Sequence, residues 1–145
     1  MTLENWKNFE SATLYIEPLT ILIGTNAAGK SNILDAFMFL QRIASGLSIQ
    51  VSIEGTTTIE PLRGGLSWVV KKPLSEFSIQ LVFEHGGVDY HFRISIALED
   101  STVQVANESL SVQDFNRRSY WLNRLVGFAN TIHYTTLCLT QYQAK

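Results

Sequence analysis

The chain has 145 residues, 46% of them hydrophobic and 11% aromatic, with a formal net charge of −2. That is the length of one ordinary domain with enough apolar residues to bury a core. The balanced charge excludes a global electrostatic drive toward nucleic acid or anionic membrane, and no apolar run approaches the ~18 residues of a membrane span. Cys138 is the single cysteine, which excludes an internal disulfide framework and a multi-cysteine metal site and leaves a small apolar core residue. The N-terminus carries Glu4 and has no basic segment followed by an apolar stretch, so a cytoplasmic protein without membrane partners is expected.

In chain order, residues 2–6 and 12–17 read as short strands joined by a turn at Asn8-Phe9-Glu10-Ser11. Pro18 cannot donate to a sheet ladder and marks a break. Leu19-Thr20-Ile21-Leu22-Ile23 then reads as a short buried strand. Gly24-Thr25-Asn26-Ala27-Ala28-Gly29-Lys30-Ser31 follows and fits G-x-x-x-x-G-K-[ST], the phosphate-binding P-loop. A helix is expected from Lys30 to about Ser45, with Ile33, Phe37, Leu40, Ala44 and Leu47 on one stripe. Leu34, Met38 and Phe39 make the rest apolar too, so the helix should be buried on more than one side.

Strand, loop and helix form the arrangement that triphosphate binding needs. Backbone N–H groups of a tight loop surround the negative charges without side-chain bulk. Gly24 should turn the chain off the strand, and Gly29 should let the backbone approach the phosphates. The helix start adds unpaired N–H groups and a positive dipole end. In such a loop Lys30 reaches the β- and γ-phosphates, and the Ser31 hydroxyl ligates Mg²⁺.

Residues 51–66 are rich in Gly and Thr, with Pro61 and Gly64-Gly65, and read as an irregular connector. The period then changes. Phe77, Ile79, Leu81 and Phe83 alternate with more polar positions, Gly86-Gly87 signals a tight turn, and Val88, Tyr90, Phe92, Ile94, Ile96 and Leu98 alternate again. This is a half-buried antiparallel hairpin with one polar face. Residues 102–105 should add a third strand that 107–112 continue with a slip of register. Asp114 is placed to cap a helix running to about Val126. Residues 132–140 are strand-like, and 141–145 form a polar tail.

Asn8-Phe9, followed by Pro18-Leu19-Thr20-Ile21-Leu22-Ile23-Gly24-Thr25-Asn26-Ala27-Ala28-Gly29-Lys30-Ser31-Asn32-Ile33-Leu34-Asp35-Ala36, resembles the start of ABC-type, AAA-family ATPases of the SMC, RecF and OLD (overcoming-lysogenization-defect) kind. The close resemblance covers residues 3–45. It implies an α/β fold: the N-terminal half of a P-loop NTPase head, with the P-loop strand and helix joined to an antiparallel β-layer. A single partial domain over 1–145 then divides into a βα core (1–50), a β-layer (67–112) and a connector (113–145). The nucleotide-binding residues implied are Gly24, Thr25, Asn26, Ala27, Ala28, Gly29, Lys30, Ser31 and Asn32, with ATP and Mg²⁺ as cofactors. A complete head would dimerise around nucleotide and work on DNA, in repair, chromosome maintenance or phage defence.

The chain departs from that family in several places. Ala27 and Ala28 stand where Gly, Asn or Ser is common. Glu10 stands where relatives carry a basic residue, and Lys7 is the nearby candidate to replace it, or else a solvated lysine. The signature motif and the Asp-Glu strand end of the family are absent from the sequence. Ile94-Ser95-Ile96-Ala97-Leu98-Glu99-Asp100 mimics the latter but reads as a hairpin strand. Gln141 is a candidate for the family's Mg²⁺-sensing glutamine, against a plain polar tail. The remaining parallel strands would have to come from sequence beyond Lys145, which would leave the helix partly uncovered near 37–40.

His85, His91 and His133 are scattered and lack metal-ligand spacing. Arg117, Arg118, Tyr120, Trp121 and Arg124 interleave charge and aromatics but read as an amphipathic connector. Arg63-Gly64-Gly65 reads as an ordinary turn. The alternatives to an ATPase piece are a truncated or split non-catalytic module that needs a partner for hydrolysis, and a small P-loop kinase. The long hairpin region argues against the kinase.

Overall fold

In the computed structural model, which describes residues 1–85, 87–99, 102–114 and 119–123, the alternating segments form one six-stranded antiparallel sheet. Its strands are β1 (Thr2–Glu4), β2 (Ser11–Thr13), β3 (Glu76–His85), β4 (Val88–Glu99), β5 (Thr102–Asp114) and β6 (Ser119–Asn123), in the order β2-β1-β3-β4-β5-β6. The long helix is α1 (Lys30–Ala44), followed by α2 (Ile49–Glu54) and the one-turn α3 (Gly65–Val69).

The β3–β4 hairpin keeps the expected register, with Phe77 opposite Ile96 and Ile79 opposite Ile94, and Leu3 of β1 opposite Ile79. These side chains make the apolar face of the sheet and are buried. The opposite face is less open than alternation suggests, because Ser78 and Ser95 are buried as well. Ser78 Oγ donates to the Glu4 carboxylate at 2.7 Å, and the Arg93 guanidinium donates to the same carboxylate at 2.6 Å. The Ser78 hydrogen bond, helped by Arg93 and opposed by desolvation, holds the Glu4 carboxyl below its ordinary range. Toward its turn the hairpin extends past the core, and Phe83 stacks on Tyr90 at 5.2 Å in a half-exposed cross-strand pair. The register slip in β5 is present: Ser95 faces Asn107 while Ile96 faces Val105, so one residue bulges.

Helix α1 lies over the apolar face. Trp6, Phe39 and Phe77 meet there as an aromatic cluster, with centroids 4.9–5.8 Å apart. The buried stripe of α1 is Asp35, Ala36, Phe39 and Ile43, not the predicted Ile33-Phe37-Leu40 line. Both stripes have helical spacing, and the sheet meets the one that carries Phe39. Leu34, Phe37 and Met38 stay exposed on the other side. The expectation of burial on two sides is thus not met among the described residues.

Three other expectations fail. Residues 19–23 form no strand, and Leu19, Ile21 and Ile23 are exposed. A strand exists only by pairing, and no described segment runs beside this one. Instead Thr20 Oγ1 accepts the Glu17 N–H at 3.0 Å and donates to the Glu17 carbonyl, closing a local turn around Pro18. The connector at 51–66 begins inside α2, which Ser48 caps by accepting the Val51 N–H. Arg42, at the end of α1, then ties this region down through the Ser52 and Glu60 carbonyls at 2.8 and 2.7 Å. Finally, Asp114 ends β5, and residues 119–123, expected inside a helix, pair with β5 as β6. The strand-like stretch 132–140, Cys138, His133 and Gln141 lie outside the described residues. No helix among the described residues is long and apolar enough to cross a membrane.

Candidate functional site

The loop at Gly24–Ser31 opens α1. Gly29 is the N-cap residue, with φ 88° in the left-handed region that glycine reaches without strain. Ala27 also has positive φ, at 66°. No side chain caps the helix, and a helix start of this kind favours an anion. A Cβ on Gly29 would lie 2.5 Å from Phe9 Cζ, so space as well as φ requires glycine here. Gly24 differs from expectation: a Cβ there would meet only ordinary contacts, the nearest at 3.4 Å, because no paired strand forces a sharp turn.

The Lys30 ammonium bends back over the loop and donates to the Gly24 and Thr25 carbonyls at 2.5 and 2.6 Å. It therefore sits on the loop's own backbone acceptors, which a phosphate oxygen can replace. Ser31 is exposed on the first turn of α1. Thr25, Asn26, Ala27 and Ala28 are exposed along the loop. Asn32 Nδ2 donates to Asn8 Oδ1 at 2.6 Å, and the Asn32 carbonyl accepts from Trp6 Nε1 at 2.7 Å. The donor set, an uncapped helix start with a lysine and a serine in its first turn, fits a phosphate group with its Mg²⁺.

Residues that the linear reading treated as incidental surround the loop. Asp35, buried one turn below Ser31, accepts from Lys7 Nζ at 2.5 Å and from Arg63 Nη2 at 2.9 Å. Lys7 Nζ also donates to the Arg63 carbonyl at 2.7 Å, and Arg63 Nη2 donates to the Ser31 carbonyl at 2.7 Å. Lys7 is thus neither a solvated lysine nor a free substitute for the basic residue replaced by Glu10. Glu10 itself is exposed and accepts from Lys71 at 3.2 Å. Arg63 is not an ordinary turn residue, since it links the 61–64 segment to the first turn of α1. The only earlier sign of this cluster was Asp35 on an apolar helix, a charge that burial would force to find a cation. Lys7, Asn8, Asn32, Arg63, Gly64, Trp68, Val70 and Lys72 line an open cleft of about 460 Å³ beside the loop.

The other candidates do not converge. Ile94 to Glu99 are paired on both sides in the antiparallel sheet, as a hairpin strand should be. His85 ends β3 and His91 lies within β4, and among the described residues no group of three His, Cys, Asp or Glu side chains is placed to hold a metal. Arg117, Arg118 and Arg124 lie outside the described residues, while Tyr120 and Trp121 belong to β6.

Comparison with known proteins places the chain in a family. The chain is 30% identical over 107 residues to the DNA double-strand break repair Rad50 ATPase of Halobacterium salinarum. That stretch covers 73% of the chain, which spans about 10% of the relative's length. Residues 19–131 match the profile of the family described as AAA domain, putative AbiEii toxin, type IV toxin–antitoxin system. That match covers residues 24–31 and strands β3 to β6, so the chain belongs to this AAA-domain family of P-loop ATPases, of the SMC/Rad50-like kind.

Proposed function

We propose that the chain binds Mg·ATP through Gly24, Thr25, Asn26, Ala27, Ala28, Gly29, Lys30, Ser31 and Asn32, as part of an ABC-type ATPase head of the SMC/RecF/OLD-like group. The observation that carries this reading is the uncapped start of α1 at left-handed Gly29, with Lys30 poised over the loop carbonyls. Lys30 would exchange those carbonyls for phosphate oxygens, and the loop N–H groups would face the same anion. Ser31 is the residue that would hold Mg²⁺, and Gln141 is a second candidate. When bound, Mg²⁺ would offset the negative charge of the phosphates. The cleft beside Asn32 offers the Trp68 ring together with Arg63 and Lys72, a combination suited to the nucleoside end of the same molecule.

Hydrolysis also needs a positioned water and further charge stabilisation in the transition state. The sequence has no signature motif or Asp-Glu strand end to supply them. Hydrolysis is therefore assigned to a complete head, formed with a C-terminal half or a second head, acting in DNA repair, chromosome maintenance or phage defence. A second reading, a split module that binds nucleotide and awaits a partner, is favoured by one observation. Leu19, Ile21 and Ile23 beside the loop, and Leu34, Phe37 and Met38 on α1, are all exposed apolar residues.

Calorimetric titration with Mg·ATP tests the shared claim. Binding by the wild type and at least tenfold weaker binding by Lys30→Ala is expected, from the loss of charge-assisted hydrogen bonds to phosphate. Equal affinities would remove the P-loop reading. Turnover by the purified chain alone, abolished in Lys30→Ala, would overturn the need for a partner.

A further inference from the structure

We infer that Asn8 and Phe9, in the turn between β1 and β2, are positioning residues that set the shape of the phosphate loop. This rests on the reading of that loop as a nucleotide cradle. Three contacts carry the inference. The edge of the Phe9 ring lies under Gly29, so close that even a methyl group there would meet Cζ at 2.5 Å and Cε1 at 2.8 Å. Asn8 Oδ1 accepts from Asn32 Nδ2 at 2.6 Å. Trp6 Nε1, from the same turn, donates to the Asn32 carbonyl at 2.7 Å. The turn therefore grips the loop at both ends of the segment 29–32, whose N–H groups must converge on a phosphate.

The turn is itself held rigidly enough to act as a support. Asn5 and Lys7 adopt positive φ, at 55° and 53°. Asn5 N–H donates to the Glu10 carbonyl, and Phe9 N–H donates to the Trp6 carbonyl, at 3.0 and 2.8 Å. Trp6 is fully buried in the aromatic cluster, and Lys7 is anchored on Asp35. The loop, by contrast, is exposed from Gly24 to Ala28 and has little hydrogen bonding of its own, such as Ala28 N–H to the Thr25 carbonyl at 3.3 Å. Gly29 brings flexibility of its own. A binding-competent shape that is populated only in part lowers the apparent affinity by that fraction. Phe9 blocks inward collapse of Gly29, and Asn8 fixes the first turn of α1, so together they keep that fraction high. A second consequence follows. The β1–β2 turn belongs to the sheet through β1, so nucleotide binding and sheet geometry are linked through these two side chains.

The test compares wild type, Lys30→Ala, Phe9→Ala, Phe9→Leu and Asn8→Ala by Mg·ATP titration and by hydrogen exchange of the nucleotide-free chain. Unfolding curves give the folded fraction of each. Wild-type binding that depends on Lys30 establishes the nucleotide reading independently of the inference. Given that, Asn8→Ala should weaken binding about three- to tenfold, the worth of one hydrogen bond. Phe9→Ala should weaken it at least as much, and Phe9→Leu should restore most of the loss. The amides of Asn32 and Ile33, which donate to the Gly29 carbonyl at 2.9 and 3.1 Å, should exchange faster in Asn8→Ala and Phe9→Ala while those of β3 and β4 do not change, which a merely structural role for the two residues would not produce. Should Phe9→Ala fail to fold, exposed Asn8 decides the question. Asn8→Ala with wild-type affinity and unchanged exchange at Asn32 and Ile33 would overturn the inference and leave the nucleotide reading standing.

Discussion

Replacing Asp35 by asparagine removes one negative charge from the centre of the structure and nearly preserves its shape. Asp35 is 2% exposed and holds two cations, Lys7 and Arg63. The two differ in what they lose. The Lys7 side chain is 6% exposed, so without Asp35 its ammonium would be buried with only the Arg63 carbonyl as acceptor. Breaking a buried pair in this way costs about 3–5 kcal/mol. Arg63 is 59% exposed and recovers water, so its share is about 0–1 kcal/mol. The asparagine oxygen still accepts one hydrogen bond, which returns about 0.5–1.5 kcal/mol. The expected net loss is about 3 kcal/mol, a large part of the ~5–15 kcal/mol that holds a domain together. For a chain of this length it lowers Tm by about 6–12 °C. Urea unfolding followed by circular dichroism checks it, with an unchanged m-value expected. Arg63→Met should cost about 1 kcal/mol or less, and the double replacement Lys7→Met with Asp35→Leu should cost less than Asp35→Asn alone, since apolar groups remove the stranded charge. A loss below about 1 kcal/mol for Asp35→Asn, or an equal loss for Arg63→Met, would refute the reasoning.

Two further predictions follow from the sheet and from the 55–61 turn. Glu4 has its carboxyl pKa lowered in the folded chain by Ser78 and Arg93, so its contribution is present above the ordinary value of 4.5 and is lost as pH falls through the lowered one. Wild type should therefore exceed Glu4→Gln in stability near pH 6 by less than about 1 kcal/mol, because the pair is partly exposed, and the difference should shrink toward pH 3; a difference that grows on acidification would contradict the assignment. Gly55 has φ 72° and ψ −163°, and a Cβ there would meet the Ile59 carbonyl oxygen at 2.2 Å, whereas Gly46 at φ 87° faces open space. Gly55→Ala should cost more than about 3 kcal/mol and Gly46→Ala about 1–2 kcal/mol, and similar melting points for the two variants would show that the turn relaxes freely.

Much of the sheet was legible because a half-buried hairpin writes its register into alternation. Phe77 and Ile79 against Ile94 and Ile96 follow from period two and the Gly86-Gly87 turn, and the slip before Asn107 is visible as a break in that period. The helix was legible in extent but not in face. Ile33-Phe37-Leu40 and Ala36-Phe39-Ile43 are both apolar stripes, and only the position of the Trp6–Phe77 cluster selects the second. Residues 19–23 are the clearest contrary case. They have the composition of a strand, but a strand is a statement about a neighbour. The helix expected after Asp114 failed for the converse reason: β5 offered residues 119–123 an edge, and pairing overrode the capping signal.

The sequence by itself carried the motif of the proposed phosphate loop, since four restricted positions at fixed spacing, Gly24, Gly29, Lys30 and Ser31, match it. It also determined the antiparallel pairing that follows. The tertiary structure alone decided what supports that loop. Asn8 and Phe9 lie about twenty residues before it and Arg63 about thirty after; the family-like pattern joins Asn8-Phe9 to the loop, but it does not say that they touch Gly29 and Asn32 or that Arg63 meets Asp35. Their roles arise from burial: a charge withdrawn from water must meet a counter-charge, and a glycine that cannot carry a side chain leaves room that a distant ring fills.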